Sequence, residues 1–258
     1  MRTVRLALRQ VRFEHRAFWR NPVAAFFTFV FPLLFLVIFN LLFGNEELSI
    51  AGGTTTTSTF YVPAIAAFSV INACYTGLAI TVSLARDQGQ LKRAAGTPMP
   101  KSAYLFGKVA YMTVIAIALV VVVIVFGVTF YGVDVPTSTL PAFAISLAIG
   151  AAAFSMLGLA LTAFIPNAEA APAVVNATVL PLLFISDIFI PPNASTPAWL
   201  GTLADLFPLK HLSLALQTAY SPFASGPGFE PTHLAVIAAW GVGGAVLALW
   251  RFSWEPRN

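Results

Sequence analysis

Charge is what this chain has least of. Of its 258 residues only 9% are Asp, Glu, Lys or Arg, while 58% are apolar; a soluble domain carries about 25% charged and about 45–50% apolar residues. So few charges cannot cover a water-facing surface, and lipid is the solvent expected for most of the chain. Cysteine is almost missing: Cys74 stands alone, which excludes an internal disulfide and a thiolate metal cluster. Its place inside an apolar run reads as a small buried hydrophobe. Histidine is scarce too. His15, His211 and His233 fall at the edges of apolar runs, with no metal spacing and no nucleophile–base set, so no catalytic constellation is visible. The net charge of +4 would suit nucleic acid only if it formed one water-facing patch, and the basic residues are placed otherwise.

Long hydrophobic runs are what the chain has instead. A membrane helix needs about 20 mostly apolar residues to cross about 30 Å of hydrocarbon. Val23–Phe43, Phe60–Ala85, Val109–Tyr131, Leu140–Ile165 and Leu234–Trp250 contain no Asp, Glu, Lys, Arg or His, and Pro172–Ile190 contains only Asp187. Pro32 and Pro181 lie mid-run, which membrane helices tolerate because neighbours satisfy the freed carbonyls. The fold class expected is an all-α integral membrane protein with six transmembrane helices. Ala144, Ala148, Ala152 and Ser155 form a small-residue stripe that reads as a helix-packing face.

Thirteen of the 14 basic residues fall on one side of these runs, in the leader 1–22, the loop 86–108 and the region after Trp250. The other side has Lys210 alone, against Glu46, Glu47, Asp134, Asp205 and Glu230. The positive-inside bias places both termini in the cytoplasm of a multi-pass cell (plasma or inner) membrane protein, as an even number of crossings requires. The first run is too long for the apolar region of a cleavable signal and reads as a retained anchor. The organisation expected is a leader 1–22, a six-span region 23–252 interrupted by a loop 86–108 and an outer region 191–233, and a tail 253–258.

In the leader, Arg2, Arg5, Arg9, Arg12, Arg16 and Arg20 recur every three or four residues. At about 100° per residue they share an arc of roughly 80°. Val4, Ala7, Leu8, Val11, Phe18 and Trp19 gather on another face. This predicts an amphipathic helix lying along the inner headgroup layer, its arginines toward phosphates or a protein partner. The loop holds a second short helix, about Gln88 to Ala95, stopped by Gly96-Thr97-Pro98 and projecting Gln90, Leu91, Lys92 and Arg93. The run from Gly96 to Lys101-Ser102 is not a phosphate-binding loop. That motif needs Gly directly before the Lys and another five residues earlier, and those positions hold Pro100 and Ala95. Proline also lacks the N–H that would cradle phosphate.

Three stretches resemble the type 2 ABC exporter permeases, the family of drug-resistance, polysaccharide-export and lipid-export subunits. They are Gly89-Gln-Leu-Lys-Arg-Ala-Ala-Gly-Thr-Pro-Met-Pro100, then Leu180-Pro-Leu-Leu-Phe-Ile-Ser-Asp-Ile-Phe-Ile-Pro191 with Pro197-Ala-Trp-Leu200, and Phe207-Pro-Leu-Lys-His-Leu-Ser-Leu-Ala-Leu216. The resemblance implies an amphipathic, drug-like or lipid-like substrate exported with ATP and magnesium held on a separate ATPase subunit. This chain would bind no cofactor of its own. The loop helix, with Gln90, Leu91, Lys92, Arg93, Gly96, Thr97 and Pro98, would be the coupling helix that docks on that ATPase, Leu91 serving as its apolar anchor. The leader, with Arg5, Arg9, Arg12 and Arg16, would be the interface helix. Residues 191–233 would form short re-entrant helices near the outer face, with Pro191, Phe207 and Pro208 at an outer gate.

A second permease copy, identical or paralogous, would complete the pore. Phe68, Asn72, Tyr75, Asn176, Val179 and Phe184, on the second and fifth spans, are the substrate-path residues the resemblance suggests. Asp187 stands where many relatives carry a small residue such as Gly, and Gln217 replaces a common basic residue. The competing reading is an ion-coupled secondary transporter. It would need an ionisable residue inside the membrane, and only Asp187, near the end of its run, is available. Asn193-Ala-Ser195 also fits an N-glycosylation pattern.

Overall fold

In the computed structural model, residues 2–43, 46–50, 53–98, 100–189, 197–223 and 226–251 are described. Helix α1 (Arg2–Trp19) leads into α2 (Pro22–Phe43), and a two-stranded hairpin, β1 (Glu47–Ile50) and β2 (Gly53–Thr56), follows. A continuous rod comes next: α3 (Thr57–Val70), a π-helical segment (Ile71–Gly77) and α4 (Leu78–Asp87). Then come α5 (Gln90–Ala95), α6 (Lys101–Tyr131), α7 (Leu140–Leu161), α8 (Ala171–Ile185), α9 (Ala198–Asp205), α10 (Pro208–Tyr220) and α11 (Pro231–Arg251).

Five helical rods are long and apolar enough to cross a membrane: Ala25–Phe43, Thr57–Asp87, Lys101–Tyr131, Leu140–Leu161 and Pro231–Arg251. The sixth expected run is shorter than its apolar stretch. α8 has 15 residues and ends at Ile185, a length of about 22 Å at 1.5 Å per residue. It nevertheless joins the two ends of the bundle. The Asp87 carboxylate accepts from the Ala168 N–H just before α8, and past its other end Tyr61 donates to the Phe189 carbonyl. The third rod begins at Lys101, not at Val109, because Lys108 is neutralised inside the fold and does not end the helix.

The rod α3–π–α4 is the centre. All its residues from Phe60 to Ile71 are buried, and α2, α6, α7 and α10 pack around it. Its first turn is secured by the Thr56 hydroxyl, which accepts from the Thr59 N–H and so satisfies one of the donors a helix start leaves open. The antiparallel hairpin that precedes it pairs Glu47 with Thr56 and Ile50 with Gly53; the apolar patterning gave no sign of it. α2 and α11 lie outermost, with Phe26, Phe27, Leu41, Leu42, Val242, Val246 and Leu249 exposed, as lipid-facing surface requires.

The packing face of α7 matches the expected stripe only in part. Ala144 and Ala148 are exposed and Ala152 is half-buried, whereas Ser155 is buried, and the closest approaches occur beside the stripe. A Cβ on Gly150 would lie 2.5 Å from Leu212, and one on Gly241 of α11 would lie 2.8 Å from Ala153. Small residues do bring the backbones together, but one face round from the stripe, where α10 and α11 press on α7.

Candidate functional site

At one end of the bundle α4 stops and the chain reverses. Gly89 adopts φ 68°, the left-handed region in which a Cβ is unfavourable, and α5 starts from it. Among the side chains expected to project, Gln90, Lys92 and Arg93 are exposed, as are Gly96, Thr97 and Pro98. The Thr97 hydroxyl donates to the Ala94 carbonyl and closes the last turn. Leu91 does otherwise: it is 1% exposed and belongs to the main apolar core. As the one large apolar side chain of α5, it is drawn into its own chain. It therefore pins α5 to the bundle and cannot insert into a partner.

Two charged residues at the end of α4 also hold this end together. Arg86 is buried and donates to the carbonyls of Thr162 (3.1 Å), Ile165 (2.8 Å) and Pro166 (3.2 Å), where α7 runs out. Asp87 receives the Ala168 N–H beyond it. The guanidinium thus replaces the partners that a helix C-terminus lacks, and α4, α7 and α8 meet at one point. Composition shows Arg86 only as one more positive charge.

α1 packs along the first turns of α6. Gly107 permits the contact: a Cβ there would lie 2.6 Å from that of Gln10. The side of α1 that is buried is Ala7, Gln10 and Glu14, whereas Leu8, Phe13 and Trp19 are exposed. The apolar face read from the sequence docks in part: Ala7 is buried and Val11 and Phe18 pack against the core, while Leu8 and Trp19 stay exposed. Lys108 lies 2.9 Å from both Glu14 carboxylate oxygens, and Gln10 donates to Glu14 over 2.6 Å. A buried ion pair with a further hydrogen bond joins that apolar docking at this crossing. Arg9, Arg12 and Arg16 are exposed as expected; the side chain of Arg5 lies outside the described ones.

A cavity of about 980 Å³ opens between α1, α4, α5 and α6, lined among others by Arg16, Arg20, Arg93, Tyr104 and Lys108. A second, of about 330 Å³, lies against the π-helical segment, where Asn72 and Thr76 face Phe27, Phe31 and Ile115. Phe18, Thr81 and Met112 line both.

The suggested path residues separate into groups. Tyr75, in the π-helical segment, shares a 2.9 Å hydrogen bond with Thr178 of α8, which ties the second and fifth apolar runs of one chain together. Phe68 and Phe184 both meet Phe189, at ring-centroid distances of 5.4 and 5.7 Å, within a group that also includes Phe35 and Phe39. Asn72 borders the smaller cavity, and Asn176 is exposed. Val179 is 4% exposed and packs in the core, so it lines no open path. Phe189 carries no distinguishing signal in so Phe-rich a sequence, and only its packing against Phe35, Phe39, Phe68 and Phe184 shows its central place.

At the opposite end of the bundle Phe207 stacks on Trp240, and Pro208 opens α10 from a buried position. Pro191 and the Asn193-Ala-Ser195 pattern lie outside the described residues. The His211 Nε2–H donates to the Asp205 carbonyl at 2.8 Å, since a carbonyl only accepts. In the neutral ring this leaves the His211 Nδ1 lone pair to receive the His233 Nδ1–H, 2.7 Å away. Asp187 follows α8 at φ 58°, a conformation Gly adopts freely and Asp tolerates better than most residues. Gln217 donates to the Asp187 carbonyl at 3.1 Å, so the two unusual positions are one structural unit. Among the described residues no cluster of three His, Cys, Asp or Glu can hold a metal ion.

The arrangement is therefore a membrane bundle with a tied, capped helix and a charge-locked amphipathic helix at one end. The chain is 26% identical over 205 residues to the "Putative transport permease ycf38" of Porphyra purpurea, covering 79% of this chain and 69% of that protein. The protein of the same name from Cyanophora paradoxa is 27% identical over 207 residues, covering 78% of this chain and 69% of its own length. The ABC-2 type transporter family matches residues 8–220, and it is to this family of transmembrane transporter subunits that the chain belongs.

Proposed function

We propose that this chain is the permease half of an ATP-driven exporter, with six crossings, both termini in the cytoplasm and a separate ATPase docking on α5 and α1. The observation that carries the reading is how α5 is held. Leu91 anchors it from within, and Arg86 and Asp87 tie its base to α7 and α8. A push on α5 is thus delivered to three helices as a unit, the kind of rigid-body displacement that switches packed bundles. Gln90, Lys92 and Arg93 are left for the partner, and among the described residues neither cation has an acidic partner. Exposed ion pairs contribute about 0–1 kcal/mol each, so these side chains set register more than affinity.

The span of α8 from the Asp87 end to the Tyr61 end supports a sixth crossing, and the basic residues at the α1–α5 end support its cytoplasmic placing. A second permease copy completes the pore, with ATP and magnesium on the ATPase pair. The apolar, aromatic surroundings of Phe68, Phe184 and Phe189 suit an amphipathic, drug-like or lipid-like substrate. The test is to co-express the chain with the ATPase encoded beside it, purify the complex and measure hydrolysis. Co-purification that is weakened, with hydrolysis no longer stimulated, in Lys92→Ala/Arg93→Ala is the result expected. Failure to co-purify with any ATPase would sink the proposal.

A further inference from the structure

We infer that the cavity between α1, α4, α5 and α6 is a binding site for an anionic, phosphate-bearing lipid, with the headgroup at Arg16 and Arg20 and an acyl chain in the adjoining apolar cavity. The charge balance of the lining points to an anion. Its one carboxylate, Glu14, is already held by Lys108 and Gln10. Arg16, Arg20 and Arg93 face the same space, and none of them has an acidic partner among the described residues. Tyr111 adds a second signal: it lines the cavity, is 2% exposed, and its hydroxyl has no hydrogen-bond partner among the described residues. A buried polar group without a partner is costly, and a phosphate oxygen would satisfy it.

The shape of the space points to a lipid over a free anion or an acidic protein loop. The larger cavity, about 980 Å³, passes Phe18, Thr81 and Met112 into the smaller one, about 330 Å³, whose walls include Phe27, Phe31 and Ile115. A free phosphate or a polar protein loop has no use for that apolar extension. Cationic groups at one end and an apolar recess at the other match the two ends of one amphiphile. The inference rests on the transporter reading only in placing this end of the bundle at the inner headgroup layer, where anionic lipid is drawn to clustered arginines.

The test uses the full chain in nanodiscs of neutral phosphatidylcholine containing trace phosphatidylglycerol, or trace phosphatidylcholine, spin-labelled on the acyl chain. The expected result is an immobilised spin population several-fold larger for phosphatidylglycerol. That excess should fall on the order of fivefold for each arginine replaced in Arg16→Gln and Arg20→Gln. Thr76→Trp, which fills the apolar recess, should reduce immobilisation while the arginines remain. Equal immobilisation of the two lipids in the wild-type chain overturns the inference, whether or not any variant folds. So does an excess that survives the double replacement, or one abolished by millimolar inorganic phosphate but not by unlabelled phosphatidylglycerol, which would mark a free-anion site. Loss of the signal on adding the ATPase would assign Arg16 and Arg20 to that partner and overturn the inference. Lipid selectivity is read without transport. Selective binding in a chain that recruits no ATPase would therefore defeat the transporter reading alone, and the converse result would defeat this one alone.

Discussion

Lys108 of α6 and Glu14 of α1 face each other at 2.9 Å with their side chains 5% and 9% exposed, 94 residues apart in sequence. This pair fixes the amphipathic helix to the bundle, and its burial makes it asymmetric to mutation. Removing one partner strands the other charge away from water, which costs about 3–5 kcal/mol, while replacing both with apolar groups of similar size is often neutral or stabilising. Glu14→Ala and Lys108→Ala are each expected to lower the thermal unfolding temperature in detergent strongly and to loosen α1, read as faster proteolysis in the leader. Glu14→Leu/Lys108→Met should recover most of the loss. Single variants as stable as wild type would show that the pair does not lock the helix.

Arg86 allows a test of how α5 is connected to the rest. Its guanidinium reaches three carbonyls of the α7 end, and hydrogen bonds from a charged donor are worth about 1.5–3 kcal/mol each. Lysine keeps the charge but has no planar fork to span those acceptors. Arg86→Lys is therefore expected to retain co-purification with an ATPase, since Lys92 and Arg93 are untouched, yet to reduce stimulated hydrolysis or transport at least tenfold. Full activity in Arg86→Lys would mean that motion reaches the bundle by another route.

Gly158 is where α7 meets the π-helical segment. A Cβ there would lie 2.7 Å from the Tyr75 carbonyl oxygen and 2.9 Å from that of Cys74. Both obstacles are backbone atoms, so relief requires the helices to separate or the segment to rewind. Overpacking of this kind costs about 1–3 kcal/mol, and π-helical turns often mark functional sites. Gly158→Ala should lower stability by that amount, and Gly158→Val by more. Gly243→Ala, with open space around its Cβ, should leave stability unchanged. The comparison is made by thermal unfolding in one detergent.

What the sequence discloses here follows from what lipid demands. Five of the expected crossings are visible as uncharged apolar runs because hydrocarbon permits little else, and the arginine-striped helix is visible because its period is 3.6. The interior contacts are not visible, since almost every candidate for burial is apolar. Leu91 looks like an exposed anchor in a basic loop, and only the fold shows it turned inward. Glu14 and Lys108 look like ordinary interfacial charges, for nothing in spacing relates residues 94 apart. The hairpin at Glu47–Thr56 is short and Thr-rich, without the alternation that would announce it.

Asp187 and Gln217 supply the last prediction. Asp187 holds φ 58°, and its carbonyl receives the Gln217 amide at 3.1 Å. The left-handed conformation costs a residue with a Cβ about 1–2 kcal/mol, most for β-branched side chains. Asp187→Gly should be neutral or mildly stabilising, and Asp187→Val destabilising by at least that range. Both are read as the thermal unfolding temperature in one detergent, and an Asp187→Val variant as stable as wild type would show that the turn at this position carries no such cost.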